Sequence, residues 1–415
     1  MGSKVAEIAL TRSVGLALLV SFLVLDACGG NGNDISGGGG AAGSGGVAGG
    51  GGVPGSGGVA GGGVAGSGGV AGSDVPTAIA AGNRRSCALT SAGRVLCWGS
   101  LGDSGVVPAA VSGLSSGVTQ ISVPHSSVNT GGGYTCALTS DGVQCWVYSP
   151  SFAVKPVSGL GSGVTQISSG YLHACALTTG GGVQCWGSNP DGELGDGTHT
   201  TSLVPVAASG LSSGITQLSV GNEHTCALSS SGGVLCWGRS DHCELGISVP
   251  SVVPVAIPED NLRSGIVQIT SGGAHTCALT SGGGVLCWGD NYSGQLGNGD
   301  GNDSCSPVTV TGLSSGVTQI SAGGSHTCAL TSNGGVLCWG ENLDGQLGNN
   351  GTMAHSLVPV AVSGLSSGVA QISAGGSHAC ALTTGGEVLC WGDDAYGQLG
   401  DGSFTDSPVP VPVVF

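Results

Sequence analysis

All seven tryptophans of this 415-residue chain directly follow a cysteine, and a Cys-Ala-Leu begins nine or ten residues before each of those cysteines. The leading cysteines are Cys87, Cys136, Cys175, Cys226, Cys277, Cys328 and Cys380, so successive copies are offset by 49, 39, 51, 51, 51 and 52 residues. A unit recurring at such a period, with strand-like content, folds as a propeller or a solenoid. One copy has too little apolar surface to form a core by itself, so the stacking of copies sets the architecture.

Each unit reads as short runs of Val, Ile, Leu, Thr and Trp separated by Gly and Asn, with no helical period; four strands per unit is the natural count. Directly opposed residues in an antiparallel hairpin have a constant index sum. If Cys87 faces Cys97, Thr90 faces Arg94 around a three-residue loop ending in Gly93, a favoured hairpin class. Cys136 and Cys145 lie one residue closer, and the same opposition leaves a two-residue loop, Ser140-Asp141. Alternation then sends the cysteines, Leu89 and Val95 to one face and Ala88, Leu96 and Trp98 to the other. A sheet apolar on both faces must be covered on both, and radially packed blades do this.

Opposed residues of a hairpin are close enough for a disulfide. The expected pairs are Cys87 with Cys97, Cys136 with Cys145, Cys175 with Cys185, Cys226 with Cys236, Cys277 with Cys287, Cys328 with Cys338, and Cys380 with Cys390. Zinc-binding cysteines sit two to four residues apart and come with a second pair, a poor match to this spacing. Cys243 and Cys305 remain, in the variable loops of units four and five. One inter-blade disulfide and two free thiols are both open readings.

Ala-Leu-Thr, Gly-Val-Leu-Cys-Trp-Gly and Asn-x-x-Gly-Gln-Leu-Gly together resemble the repeat of the regulator of chromosome condensation family, over about residues 76 to 415. Gly-Gln-Leu-Gly stands at 294–297, 345–348 and 397–400; unit three has Gly192-Glu-Leu-Gly, unit four has Cys243-Glu-Leu-Gly, and units one and two lack the motif. The resemblance implies an all-β fold, a seven-bladed β-propeller with four-stranded blades. It does not extend to nucleotide exchange or nucleosome binding, which belong to members with basic surfaces and insertions not seen here. The last strand, before Phe415, either completes the final blade or pairs with the first.

The N-terminus carries Lys4 and Arg12 before an apolar run, Ser13 to Leu25, that is too short to cross a bilayer as a helix and reads as a signal peptide. Leu25-Asp26-Ala27-Cys28 resembles the bacterial lipoprotein processing box, which implies cleavage after residue 27 and lipid attachment to Cys28. Without lipidation the chain would be secreted. Residues 28–74 are almost wholly Gly, Ala, Ser and Val, expected to be a disordered tether with a mean reach on the order of 40 Å. Residues 75–415 are the seven repeats.

The formal charge is −16, and only six Lys or Arg follow Cys28. Nucleic acid and anionic lipid headgroups are held mainly by basic side chains, so no nucleic-acid partner is expected. His173, His224, His275, His326 and His378 share one position, two before the leading cysteine; Arg85 and Tyr134 take it in units one and two. In the family resembled, this position supports packing and backbone hydrogen bonds. Asp300 to Thr311 begins like a calcium loop but has Cys305 where Gly is required and Thr311 where a bidentate Glu belongs. No metal and no cofactor is expected.

No nucleophile elbow, phosphate-binding loop or zinc-protease motif occurs, so the chain is read as a non-enzyme. The leading expectation is a surface lipoprotein that binds a protein or glycan through variable segments 99–110, 147–156, 239–262 and 298–307. The alternatives are a structural envelope component without a discrete ligand, and a hydrolase or lyase with a site at the pore mouth.

Overall fold

A computed structural model describes residues 74–100, 105–125, 133–146, 153–259 and 262–415. Cys28, the signal peptide and nearly all of the tether lie outside them. The described residues contain seven four-stranded antiparallel sheets, each a simple meander. Blade six is representative, with strands Val317–Ala322, His326–Thr331, Val336–Glu341 and His355–Ala361. In blades one and two the outer strand shrinks to Ala109–Ala110 and Lys155–Pro156.

The two-faced pattern of the hairpins becomes the interface between blades. Cys277, Leu279, Val285 and Cys287 of blade five pack with Ile320, Ala329 and Trp339 of blade six. Blade seven meets blade one the same way, through Cys380, Leu382 and Cys390 against Ala88 and Trp98. Each hairpin disulfide therefore lies beneath the next blade's tryptophan. The structure bonds Cys87–Cys97, Cys136–Cys145, Cys175–Cys185, Cys226–Cys236, Cys277–Cys287, Cys328–Cys338 and Cys380–Cys390, with Cα atoms 4.0 to 4.1 Å apart. In blade two Thr139 opposes Gly142, so the lost residue falls in the turn and the cysteines stay in register.

Polar side chains tie successive innermost strands together. The Gln268 amide donates to Ile320 O at 2.9 Å and accepts from Ile320 N at 2.9 Å, and Thr270 Oγ1 accepts from Ala322 N. Gln371 clasps Ile79 and Ser373 Oγ accepts from Ala81 N, joining the last blade to the first. The final strand, Ser407–Pro412, pairs with Val388–Gly392 and completes blade seven. The ring thus closes through side chains, packing and backbone bonds such as Gly376 N to Gly82 O, with no strand shared between the first and last blades.

One seam differs. Blade one carries Ala78 and Ala80 where blade five has Gln268 and Thr270, so neither clasp can form toward Ile121 and Val123 of blade two. Local opening follows the weakest set of contacts. The amides of Ile121 and Val123 are expected to exchange with deuterium faster than those of Ile320 and Ala322. Equal protection at both seams, measured by hydrogen exchange, would count against an open seam.

Candidate binding rim

Antiparallel order places the connections between first and second strands, and between third and fourth, at one end of every blade. The second-to-third turns and the links to the next blade lie at the other end. That second rim is nearly uniform, built from copies of Thr-Ser-x-Gly and Ser-Gly-Leu-Ser-Ser-Gly. The first rim carries the Gly-Gln-Leu-Gly loops and almost all the length variation. Of the variable segments singled out above, 298–307 runs from that rim into its fourth strand, as do the described parts of 99–110 and 147–156; residues 101–104 and 147–152 lie outside the described residues. Segment 239–262 runs through the outer strand Ser251–Ala256, so its last residues reach the opposite rim.

The loops of the first rim are organised from within. Asn291 Nδ2 donates to Asp300 O and Asn302 O, while its Oδ1 accepts from Leu296 N. The carbonyl of Gln295 then accepts two bonds from blade six, Trp339 Nε1 at 2.8 Å and Thr327 Oγ1 at 3.0 Å. This gives Cys-Trp two roles in the blades that follow a Gly-Gln-Leu-Gly or Glu-Leu-Gly loop: the cysteine staples the hairpin and the indole N–H of Trp98, Trp237, Trp288, Trp339 or Trp391 anchors the preceding blade's loop. Glu193 and Glu244 use their carbonyls identically toward Trp237 and Trp288.

The five histidines form part of the same network. His173, His224 and His275 place Nε2 at 2.8 to 3.0 Å from Thr225, Thr276 and Thr327 of the next blade, and His378 reaches Ser86 across the closure at 2.7 Å. Each of these hydroxyls gives its proton to a loop carbonyl, so it can only accept from His Nε2–H. The imidazoles are neutral, and burial holds His173, His224, His275 and His378 down to about 3 and His326 to about 4. All but His326 bond side-chain hydroxyls of neighbouring blades, where the family resemblance implied backbone bonds. Arg85 reaches Thr135 from the corresponding place in blade one.

Cys243 occupies a backbone position with φ of 67°, where Gly192, Gly294 and Gly345 have φ between 82° and 86°. A Cβ on Gly345 would lie 2.6 Å from Pro408 Cα of the next blade, which is why Gly is otherwise needed. At the corresponding contact between blades four and five the side chain is accommodated by bonding to Cys305, with Cα atoms 4.7 Å apart. Beside this bridge His242, Asp290 and Asp303 bring ligand-type atoms within 4.8 Å of one another. The trio was invisible to motif reading because two blades supply it, and His242 Nδ1 pairs with Asp303 Oδ2 at 3.1 Å.

The sequence reading also passed over residues 123–134. They join the first two strands of blade two with seven more residues than separate Ser321 from Thr327 in blade six. Within them, His125 Nε2 lies 2.6 Å from Ser271 O of blade five, linking blades that are not neighbours. The long offset from Cys87 to Cys136, in spite of a unit lacking Gly-Gln-Leu-Gly, was the available signal.

A model of the RCC1-like domain matches residues 76–415. This chain belongs to the RCC1-like domain family. It is similar to the ultraviolet-B receptor UVR8 of Arabidopsis thaliana, 32% identical over 357 residues that cover 80% of each chain. It is also similar to the mitochondrial RCC1 domain-containing protein RUG3 of the same plant, 34% identical over 56% of this chain and 54% of that one, so it spans about half of RUG3. Human WBSCR16 shares the fold, with a TM-score of 0.65 and 24% identity over 75% of this chain and 85% of that one.

The rim of this RCC1-like propeller is acidic. Burial raises Asp290, Glu341, Asp344 and Asp393, and nearby carboxylates add to the effect in each. Burial also pushes Glu193 up to about 7 and Asp394 to about 6. Folded Glu193 therefore holds a proton that the unfolded chain has released between about pH 4.5 and 7, so its contribution to stability falls as pH rises through that window. Glu193 Oε2 accepts from Asp191 N as Gln295 Oε1 does from Ser293 N, so an amide fits the site. Glu193→Gln is expected to stabilise the protein at pH 8 and to flatten this part of the pH dependence. Urea unfolding at pH 5 and 8 measures both; an unchanged slope would refute the assignment.

Proposed function

We propose that this chain is an exported binding platform, anchored through lipidated Cys28 and presenting its loop-bearing rim to a protein partner outside the cell. The observation that carries this reading is the segregation of the rims. Variable loops and large exposed apolar side chains such as Tyr292 and Phe404 gather on one rim, and the other rim is a repeated turn. Recognition surfaces take this form, with variable loops on a rigid scaffold. Eight disulfides support export, because such bonds persist in oxidising compartments.

The test has two parts. Fatty-acid labelling should mark the wild-type chain and not Cys28→Ala. Surface crosslinking through residue 292 should then capture a saturable partner, whereas a crosslinker at residue 387, in the second-to-third turn of blade seven, should not. Capture at both positions alike would remove the case for one binding rim. Capture of a glycan alone, or no saturable capture, would move the assignment to the glycan or structural role.

A further inference from the structure

Residues 264–415, which include blades five to seven, contain ten Asp or Glu and no Lys or Arg. Nine of these carboxylates, from Asp290 to Asp406, stand at the loop-bearing end of the blades, and the tenth, Glu387, lies in a turn on the other rim. Five large apolar side chains are exposed on the same loops: Tyr292 at 87%, Met353 at 74%, Leu343 at 69%, Phe404 at 64% and Tyr396 at 37%. Solvated surface loops do not require exposed aromatic side chains, and apolar groups set among charges of one sign mark interaction surfaces.

The protein itself shows what chemistry this surface accepts. At the junction of blades seven and one, Arg84 places its guanidinium 4.2 Å from the centre of the Tyr396 ring, and its charge acts on Asp393. An aromatic face with a carboxylate beside it is a receptor for a guanidinium. On the equivalent loop of blade five the Tyr292 N–H donates to Asp290 Oδ1, one position earlier than Tyr396, and blade six has Leu343 adjoining Asp344 in sequence.

We propose that the rim of blades five to seven docks a basic protein segment whose Lys or Arg side chains meet the carboxylates while its apolar side chains pack on Tyr292 and Leu343. This rests on the binding-platform reading and names the partner's chemistry. Charge complementarity selects the occupant: partly buried carboxylates that repel one another gain from an incoming cation, and although His242 of blade four pairs with Asp303 and Arg84 of blade one acts on Asp393, these three blades supply no Lys or Arg of their own. An acidic partner would add repulsion at every contact.

The test uses the full chain and three synthetic peptides of equal length with the same pair of Leu residues, bearing Arg and Lys, Ser and Gln, or Asp and Glu. Binding is followed by fluorescence anisotropy at low and physiological salt. The basic peptide is expected to bind at least about tenfold tighter than the neutral one. Its affinity should fall with salt. Tyr292→Ala with Leu343→Ala should weaken it about tenfold, the scale of an aromatic anchor, and Glu387→Gln should leave it unchanged. Equal affinity for all three peptides, or basic binding indifferent to the Tyr292 and Leu343 changes, overturns the proposal. Neutral or acidic peptide binding that these two changes abolish also overturns it while leaving the rim as a platform. Circular dichroism of the double variant shows whether it has folded.

Discussion

Acidification from pH 7.5 to 5 is expected to reduce the propeller's stability on the order of 5 kcal/mol, with unfolding before pH 4. The cause is the set of five neutral histidines. Each is fully buried between blades and held at about 3 or 4, against an ordinary value of 6.5. Below 6.5 the unfolded chain binds protons that the folded chain refuses, so the stabilisation is complete above 6.5 and is lost as pH falls toward the folded values. The rim carboxylates act in the opposite sense, since Glu193 and Asp394 gain from protonation as pH falls from 7. The histidines outnumber these strongly raised carboxylates, and in His275, His326 and His378 the added proton would sit on a buried Nδ1 that has no acceptor. Urea midpoints followed by tryptophan fluorescence at pH 7.5, 6 and 5 measure the slope. His275→Gln, which does not titrate, should make the slope shallower, and a midpoint indifferent to pH would refute the mechanism.

The second large effect concerns the junction of blades six and seven. His326 is completely buried and neither ring nitrogen has a partner. Blade seven has Ala379 at the position of Thr225, Thr276 and Thr327, so the accepting hydroxyl is missing. Ala also occurs at 174, but there the preceding blade presents Tyr134, which packs against it. Thus Tyr is matched with Ala, and His with Thr or Ser, at the other junctions in this set. Only His326 with Ala379 breaks the match. Ala379→Thr should supply an acceptor for Nε2–H and a second donor to Gln346 O, which now receives only Trp391 Nε1 at 2.9 Å from blade seven. A gain of about 1–2 kcal/mol is expected. The reciprocal change, Thr327→Ala, should cost about 1–3 kcal/mol because it orphans buried His275. Chemical denaturation of both variants decides the matter. A destabilised Ala379→Thr would mean that the added atoms overpack the junction.

The match between these residues also shows where reading the chain ended. Repeat number, strand count, hairpin register and the two apolar faces follow from distances of about ten residues along the sequence. Local geometry is enough for them: an antiparallel turn determines which residues oppose, and alternation determines which face each side chain takes. That is why Cys136 and Cys145 could be placed opposite one another in spite of the shorter spacing. The RCC1-like fold was legible for the same reason, since its motif residues lie within single repeats.

What lies between repeats was not legible. The partners of His173, His224 and His275 are one repeat away and that of His378 lies across the ring closure, so the accepting hydroxyl becomes visible only when blades stack. Neither closure of the ring could be preferred until the last strand was seen to pair inside blade seven. Which loops share a rim depends on the meander order of the strands, and that order split segment 239–262 between two rims. His242, Asp290 and Asp303 come together only because blades four and five, which supply them, are neighbours. The chain by itself determined the blade, through hydrogen-bond geometry and alternation that act locally. The ring, its seams and its acidic apolar rim were decided by tertiary structure, because contacts between repeats depend on how whole sheets pack.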